Sequence, residues 1–419
     1  MHGAGTRMVD MSAERGFLLD VSRLVSRLGG GPLTGIDRVE LEWLLHLQSR
    51  PHLLLCRVAG GQALLPAEAG ADILRWSAGE LGDLPQPGLL ARLTGKVSLA
   101  DRAARQLRSR AIAFTRGRVE QLGQIAQARL GQGAAYLNLG HSNWRNEVFA
   151  GLSALQRVVL IHDVIPLDHP EFTRSGQSQK FRDRFLQAAG LSDLIVTISQ
   201  ASAVQIKLWR KRLAIHRRVP VVVAPIGTSL SAADPSQIPA GLALDRPFFI
   251  SLGTIEPRKN HAVLLDAWAI MARQRPAADL PQLFIIGRRG WENHDTFARL
   301  DKLAPSDPIH ELSGLKDGAV AALMMQSQAL LMPSRAEGFG LPLTEAAARG
   351  IPVLATPLPS TQELLAEGAE YLDPDDAAAW AKAILRLADA PPRRLPPLQV
   401  PDWPGHFAVV EAALLQRQV

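Results

Sequence analysis

Twice along this chain, short apolar runs of strand length alternate with segments of helical period, and that alternation leaves few folds open. Runs at 17–21, 53–58, 135–139, 157–162, 194–199 and 219–224 make the first series. Runs at 248–255, 283–287, 310–313, 329–332, 351–355 and 371–372 make the second. Between them stand segments such as Ile36, Val39, Leu41, Trp43, Leu44 and Leu47, or Val263, Leu264, Ala267, Trp268 and Met271, whose apolar residues suit buried helices. Strands alternating with helices predict parallel sheets covered on both faces, an α/β architecture. Residues 230–246, rich in Ser, Pro, Gly and Asp, interrupt the series as a linker does. The expected division is 1–235, 246–390 and a closing segment 391–419, where a Pro-rich stretch leads into a helix.

At 419 residues the chain exceeds one ordinary core and fits two. With 47% apolar and 21% charged residues it is a folded protein, not a disordered one. No apolar run reaches the roughly 18 residues of a membrane span. The opening residues lack the apolar core of a signal peptide, so a cytoplasmic protein is expected. The single Cys56 excludes an internal disulfide and a cysteine-cluster metal site and reads as a small core hydrophobe.

The formal charge of +6 is uneven. Residues 92–118 hold Arg92, Lys96, Arg102, Arg105, Arg108, Arg110, Arg116 and Arg118 against Asp101 alone, a net +7. Such a patch attracts phosphate on lipid, nucleic acid or a charged acceptor. On a helical wheel over 98–117, Ala103, Leu107, Ala111 and Phe114 fall together opposite Arg102, Arg105, Arg108 and Arg116. This predicts a basic amphipathic helix, lying either on the protein's own core or on a membrane surface. The scarcity of aromatics beside these arginines argues against a nucleic-acid-binding face.

Three loops carry candidate chemistry. Residues 329–356 read as strand, glycine loop, helix and strand, and loops at that end of a parallel sheet line the ligand crevice. There Glu337 and Glu345 flank Gly338 and Gly340, offering acceptor-only carboxylates to sugar hydroxyls beside a helix start that favours anions. In the second loop, Arg258 and Lys259 precede a helix with Asn260 as its cap. Cations there oppose the helix dipole at about 0.3 to 1 kcal/mol each, so an anionic group is expected to compensate them. A nucleotide diphosphate would do so, meeting a planar Arg fork and a Lys point charge. The third loop begins at His162 and Asp163, at a strand exit. A further glycine-rich loop surrounds Gly35 and Ile36.

The stretch Glu337-Gly-Phe-Gly-Leu-Pro-Leu-Thr-Glu345 resembles the E-x7-E signature of the retaining glycosyltransferases of family 4, which have the GT-B architecture. LGTIEPRKNH at 252–261 resembles that family's phosphate-binding segment, His162-Asp163 with Pro166 its HD-x-x-P segment, and Thr197-Ile-Ser199 before a helix its arrangement there. The resemblance implies two Rossmann-like domains facing each other across a cleft, with the last helix crossing back to the first domain. It implies transfer of a hexose, mannose-like or similar, from a nucleoside-diphosphate sugar to a hydroxyl of a glycan or lipid-linked acceptor, in cell-surface polysaccharide synthesis.

By the same resemblance, His162, Glu337, Arg258 and Lys259 are the catalytic candidates. Gly338, Phe339, Gly340, Leu341, Glu345, Thr254, Gly287 and Leu315 would bind donor, and Gly35, Ile36 and Asp163 would serve the acceptor and phosphates. Thr254 departs from the pattern, since many relatives carry arginine after the glycine. No Asp-x-Asp lies at a strand exit, and Asp373-Pro-Asp375 reads as a turn, so no metal is expected. Partners would be the nucleotide sugar and its acceptor, with peripheral contact to an anionic membrane through 92–118. A GT-B sugar-nucleotide 2-epimerase and a basic nucleic-acid-binding protein are the alternatives.

Overall fold

The apolar runs pair into two separate sheets in a computed structural model that describes residues 15–31, 33–85 and 97–416. Arg92 and Lys96 of the basic segment, Pro32 and the first 14 residues lie outside the described residues. The first sheet holds β1 (Phe17–Asp20), β2 (His52–Val58), β3 (Gly61–Leu65), β4 (Ala113–Thr115), β5 (Ala135–Asn138), β6 (Gln156–Ile161), β7 (Leu194–Thr197) and β8 (Val221–Val223), in the order β4-β3-β2-β1-β5-β6-β7-β8. The second holds β9 (Phe248–Leu252), β10 (Gln282–Ile286), β11 (Ile309–Leu312), β12 (Leu330–Met332), β13 (Val353–Ala355) and β14 (Glu370–Tyr371), in the order β11-β10-β9-β12-β13-β14. Each sheet has one point where strand order reverses, β1 beside β5 and β9 beside β12. In such sheets the crevice at the reversal binds ligands.

All pairings in the second sheet are parallel, and its four inner strands, β10, β9, β12 and β13, are buried along their whole length because helices cover both faces. The first sheet departs from the all-parallel expectation at one edge. There β2 pairs with β3, and β3 with β4, antiparallel. The helix expected over 98–117 therefore ends at Ser109, and Phe114 lies in β4 instead of on its apolar face. The cause is tertiary: β3 offers an open edge, and Ala113, Phe114 and Thr115 pair with it. Arg108 lies 4.1 Å over the Phe114 ring, Arg102 donates to the carbonyls of Leu84 and Pro85, and Arg110 pairs with Asp72. Three of the segment's cations are thus bound within the protein.

After β14 the helix Ala377–Ala388 packs on the helix His261–Met271, and residues 391–402 run as an irregular strap to the closing helix Trp403–Leu415. That helix buries Phe407, Val410 and Leu414 in the same core as Val39, Trp43 and Leu47 of the first domain. His406 fixes its rotation. Trp43 Nε1–H donates to His406 Nε2 at 3.0 Å, so the ring's proton sits on Nδ1, which donates to the Ala224 carbonyl at 3.0 Å. Burial holds the imidazole's pKa down at about 4, so it remains the neutral tautomer this pattern needs. Replacing it with His406→Leu leaves two buried polar groups without partners, at about 1 to 3 kcal/mol each. Urea unfolding of that variant is expected to show a loss of about 2 to 5 kcal/mol; a loss below about 1 kcal/mol would show that the helix is held by its apolar face alone.

Candidate active site

The loops leaving β9 and β12 are neighbours because those strands are, and they bring Arg258, Lys259 and Glu337 together. After Gly253 the chain leaves the sheet, and Pro257–Lys259 forms a single 3-10 turn. Lys259 Nζ lies 2.5 Å from Glu337 Oε1, and Arg258 Nη1 lies 3.0 Å from Glu337 Oε2. Arg258 Nε also meets Glu256 Oε1 at 2.5 Å. The anion expected to compensate the two cations is therefore supplied by the protein itself. Asn260 does not cap the next helix with its side chain. It adopts φ +54° and donates to the Pro374 carbonyl.

Glu337 is nearly inaccessible. Burial pushes its carboxyl up, but Lys259 and Arg258 outweigh burial and hold it down at about 2. The same pairing, against the effect of burial, raises the Arg258 pKa. Burial is the dominant influence on Lys259 and lowers it, and on Glu256, which it raises. The loop backbone is pinned at three successive carbonyls: Ala336 by Arg258, Glu337 by Ser360 Oγ and Gly338 by Ser199 Oγ of the first domain. A Cβ on Gly338 would come within 3.0 Å of Asp163 Oδ2 and Cβ, so only glycine lets the loop approach the first domain this closely.

Glu345 is the fifth residue of the helix Leu341–Ala348, just past its first turn. Arg38 Nη1 of the first domain reaches it at 3.2 Å, while Arg38 Nη2 meets Asp317 at 3.3 Å. Phe339 is buried in the first domain's core cluster, with Leu341 packed against the same cluster. Its side chain therefore joins the domains, which leaves its backbone for the donor role expected of it. Gly287 lies against the backbone of Gly253, beside Thr254, and Leu315 packs on the second domain's core.

On the first domain, His162 and Asp163 follow β6 directly. His162 is buried; its Nε2 is 2.9 Å from the Leu139 carbonyl, and its backbone N–H donates to His141 Nε2 at 3.0 Å. Burial lowers the His162 pKa to about 3, so the ring is neutral. Asp163 Oδ1 accepts from the Ile165 N–H, and burial raises its pKa although Arg258 opposes the shift. Gly35 and Ile36 are not in a loop. They open the helix Gly35–Leu47 behind a Thr34–Asp37 capping box, because Thr34 supplies the cap that ends the glycine-rich stretch.

Sequence reasoning passed over several neighbours. Arg23 Nε meets the buried Asp37 at 2.6 Å, joined by Arg27. His141, at φ +55°, stacks edgewise on His162 with ring centres 4.9 Å apart. Beneath them Asp20 accepts from Tyr136 and Asn143 at the reversal of the first sheet. Their signal in the sequence was only their place at strand exits. The residues of β1, β5 and β6 exits thus face those of β9 and β12 across the cleft.

Residues 236–395 match the family model of glycosyl transferases group 1. Over 238 residues, 54% of this chain, it is 31% identical to a serotype-specific mannosyltransferase WbdA of Escherichia coli, of which the match covers 29%. The O-antigen chain mannosyltransferase B of Escherichia coli is 25% identical over 240 residues, covering 55% of this chain and 60% of that protein. The chain thus spans less than two thirds of these relatives. The Anabaena Alr3699/HepE structure in complex with UDP-glucose superposes with a TM-score of 0.57 over 96% of this chain and 98% of that one, at 16% identity. Sucrose-phosphate synthase from Thermosynechococcus elongatus gives 0.56 over 96% and 97%, also at 16% identity. The fold is GT-B, as the signature implied.

The ion cluster gives a direct pH expectation. A carboxyl held below its unfolded value contributes stability above the unfolded pKa, and that contribution is lost as pH falls toward the folded one. Carbon-13 NMR of the Glu337 carboxyl is therefore expected to show a midpoint near 2, moving upward in Lys259→Met. A midpoint at the ordinary glutamate value in the parent protein would show that the cations do not hold it.

Proposed function

We propose that this GT-B chain, with its glycosyl transferases group 1 domain, is a retaining hexosyltransferase. It takes a nucleoside-diphosphate sugar as donor and a hydroxyl of a glycan or lipid-linked acceptor as the other substrate, in polysaccharide synthesis. The observation that carries the reading is the Glu337, Arg258 and Lys259 cluster at the sheet reversal of the matched domain, with Glu345 eight residues on. The mannosyltransferase names of its relatives support a mannose-like sugar, and the UDP-glucose in the HepE complex supports a nucleotide-sugar donor. Neither a 2-epimerase nor a nucleic-acid-binding role draws support from these relatives.

In this reading the donor's diphosphate displaces the Glu337 carboxylate from Arg258 and Lys259, and Glu337 turns to the sugar. The bond between the anomeric carbon and phosphate oxygen breaks, its electron pair leaving with the diphosphate. The acceptor oxygen forms the new bond on the same face and gives its proton to the departing phosphate oxygen. Arg258 and Lys259 offset the charge left there, which is why no divalent ion is required. His162, neutral and fixed by Leu139, orients the sugar. Glu345 holds the nucleotide's ribose. Peripheral contact with an anionic membrane accompanies this reading and enters no step of the transfer.

Steady-state kinetics separate the two glutamates. Glu345→Ala removes a contact common to ground and transition states and is expected to raise the donor KM with a smaller change in kcat. Glu337→Ala removes a charge-stabilising group and is expected to lower kcat by about 10²-fold or more. Because it also removes the diphosphate's competitor, the donor KM should stay level or fall. A near-parental kcat in Glu337→Ala, with circular dichroism showing a folded protein, would overturn the assignment of this loop to the sugar. In a second measurement, transfer is expected to survive excess EDTA. Loss restored by magnesium or manganese would overturn the metal-free reading.

A further inference from the structure

The helix Gln200–Arg212 leaves the cleft and carries an outer face that none of the described residues covers. Its inner face buries Ser202, Ala203 and Ile206, and Trp209 Nε1 donates to Asp168 at 2.7 Å, which fixes its rotation. On the opposite side Val204 is 54% exposed and Leu208 42% exposed. At about 100° per residue these two lie one turn apart on one stripe, with Lys207 and Lys211 along one border and Arg212 along the other. Residues 199–224 contain six Lys and Arg and no Asp or Glu. Arg210 and Arg217 are engaged, the first with the Val219 carbonyl and the second with Asp193. Lys207, Lys211, Arg212 and Arg218 are exposed, although the Arg212 guanidinium lies 5.0 Å from the centre of the Trp209 ring.

An apolar stripe bordered on both sides by cations matches an anionic lipid surface, where apolar side chains enter the headgroup boundary and cations meet the phosphates. The helix Leu99–Ser109 does not offer this. Its apolar Ala103 and Leu107 are buried, and two of its arginines, Arg102 and Arg108, donate to backbone carbonyls, of Pro85 and Ala59. The N-terminus of Gln200–Arg212 also touches the candidate active site: Ser199 Oγ donates to the Gly338 carbonyl, and Glu363 of the second domain accepts from the N–H groups of Gln200 and Ala201. Thirteen residues of helix span about 20 Å, so the whole face lies within about that distance of the cleft.

From this arrangement we infer that the face formed by Val204, Lys207, Leu208, Lys211 and Arg212 docks the protein on an anionic membrane, setting the cleft beside lipid-linked acceptor. The acceptor clause rests on the proposed transferase reading; the docking itself does not. Sedimentation of the full chain with vesicles tests it, using phosphatidylcholine alone and a mixture with about one third phosphatidylglycerol, at physiological salt. The parent is expected to bind the anionic vesicles and not the neutral ones. Lys207→Gln with Lys211→Gln and Arg212→Gln should lower binding by on the order of tenfold or more, and Val204→Ser with Leu208→Ser should lower it by a comparable factor. Arg105→Gln with Arg116→Gln and Arg118→Gln should bind as the parent does. Three results would overturn the inference: no parental binding to anionic vesicles, unchanged binding in either variant of the helix, or loss confined to the Arg105, Arg116 and Arg118 variant. Transfer activity does not enter this readout, so its failure leaves the transferase reading standing and its success does not depend on it.

Discussion

A carboxylate without water needs cations, and the two cations beside Glu337 would equally be intolerable alone in that buried setting. This mutual requirement ties the loop after β9 to the loop after β12. Arg258 then does more than balance charge, because its Nη1 also binds the Ala336 carbonyl and its Nε binds Glu256. The glycine loop is thereby held where Gly338 can reach Ser199 and Asp163 across the cleft. Removing Arg258 would leave Glu337 with a single cation and free the Ala336 carbonyl of the loop that joins the domains.

The same logic recurs at Glu345. It is bound by Arg38, which belongs to the opposite domain and also meets Asp317. Both carboxylates of the signature are therefore engaged by cations, one within its own domain and one across the cleft. Any anion or hydroxyl entering here must exchange with an existing partner, and its net gain is the difference between two sets of contacts. Exchange of this kind favours selectivity over raw affinity, because a ligand that replaces only one partner leaves the other group buried and unpaired.

Much of this was legible in the sequence, for a physical reason. Parallel strands buried on both faces read as unbroken apolar runs, and glycine loops at their exits read as breaks, so the exits carrying His162, Arg258 and Glu337 could be located. The antiparallel edge was not legible. Phe114 has a place on a helical wheel, and only the open edge of β3 decides that it becomes a strand residue. Phe339 sits inside the glycine signature, yet its burial in the first domain's core depends on a domain contact that no local pattern encodes. Glu256 stood beside the two cations in plain view, but its pairing with Arg258 depends on a turn geometry that composition does not specify.

Charge was the most misleading quantity, and the two basic segments show why. Residues 92–118 have the larger net excess, but a charge count does not distinguish a guanidinium spent on backbone carbonyls, as in Arg102 and Arg108, from one facing solvent. The helix Gln200–Arg212 has fewer cations, and its inner and outer faces separate only once the position of Trp209 against Asp168 fixes the rotation. With that rotation set, Val204 and Leu208 cannot reach the core, and the lysines beside them cannot reach a carboxylate on their own helix, which has none. The face thus stays apolar at its centre and cationic at its borders because neither packing nor pairing within the described residues gives its apolar side chains cover.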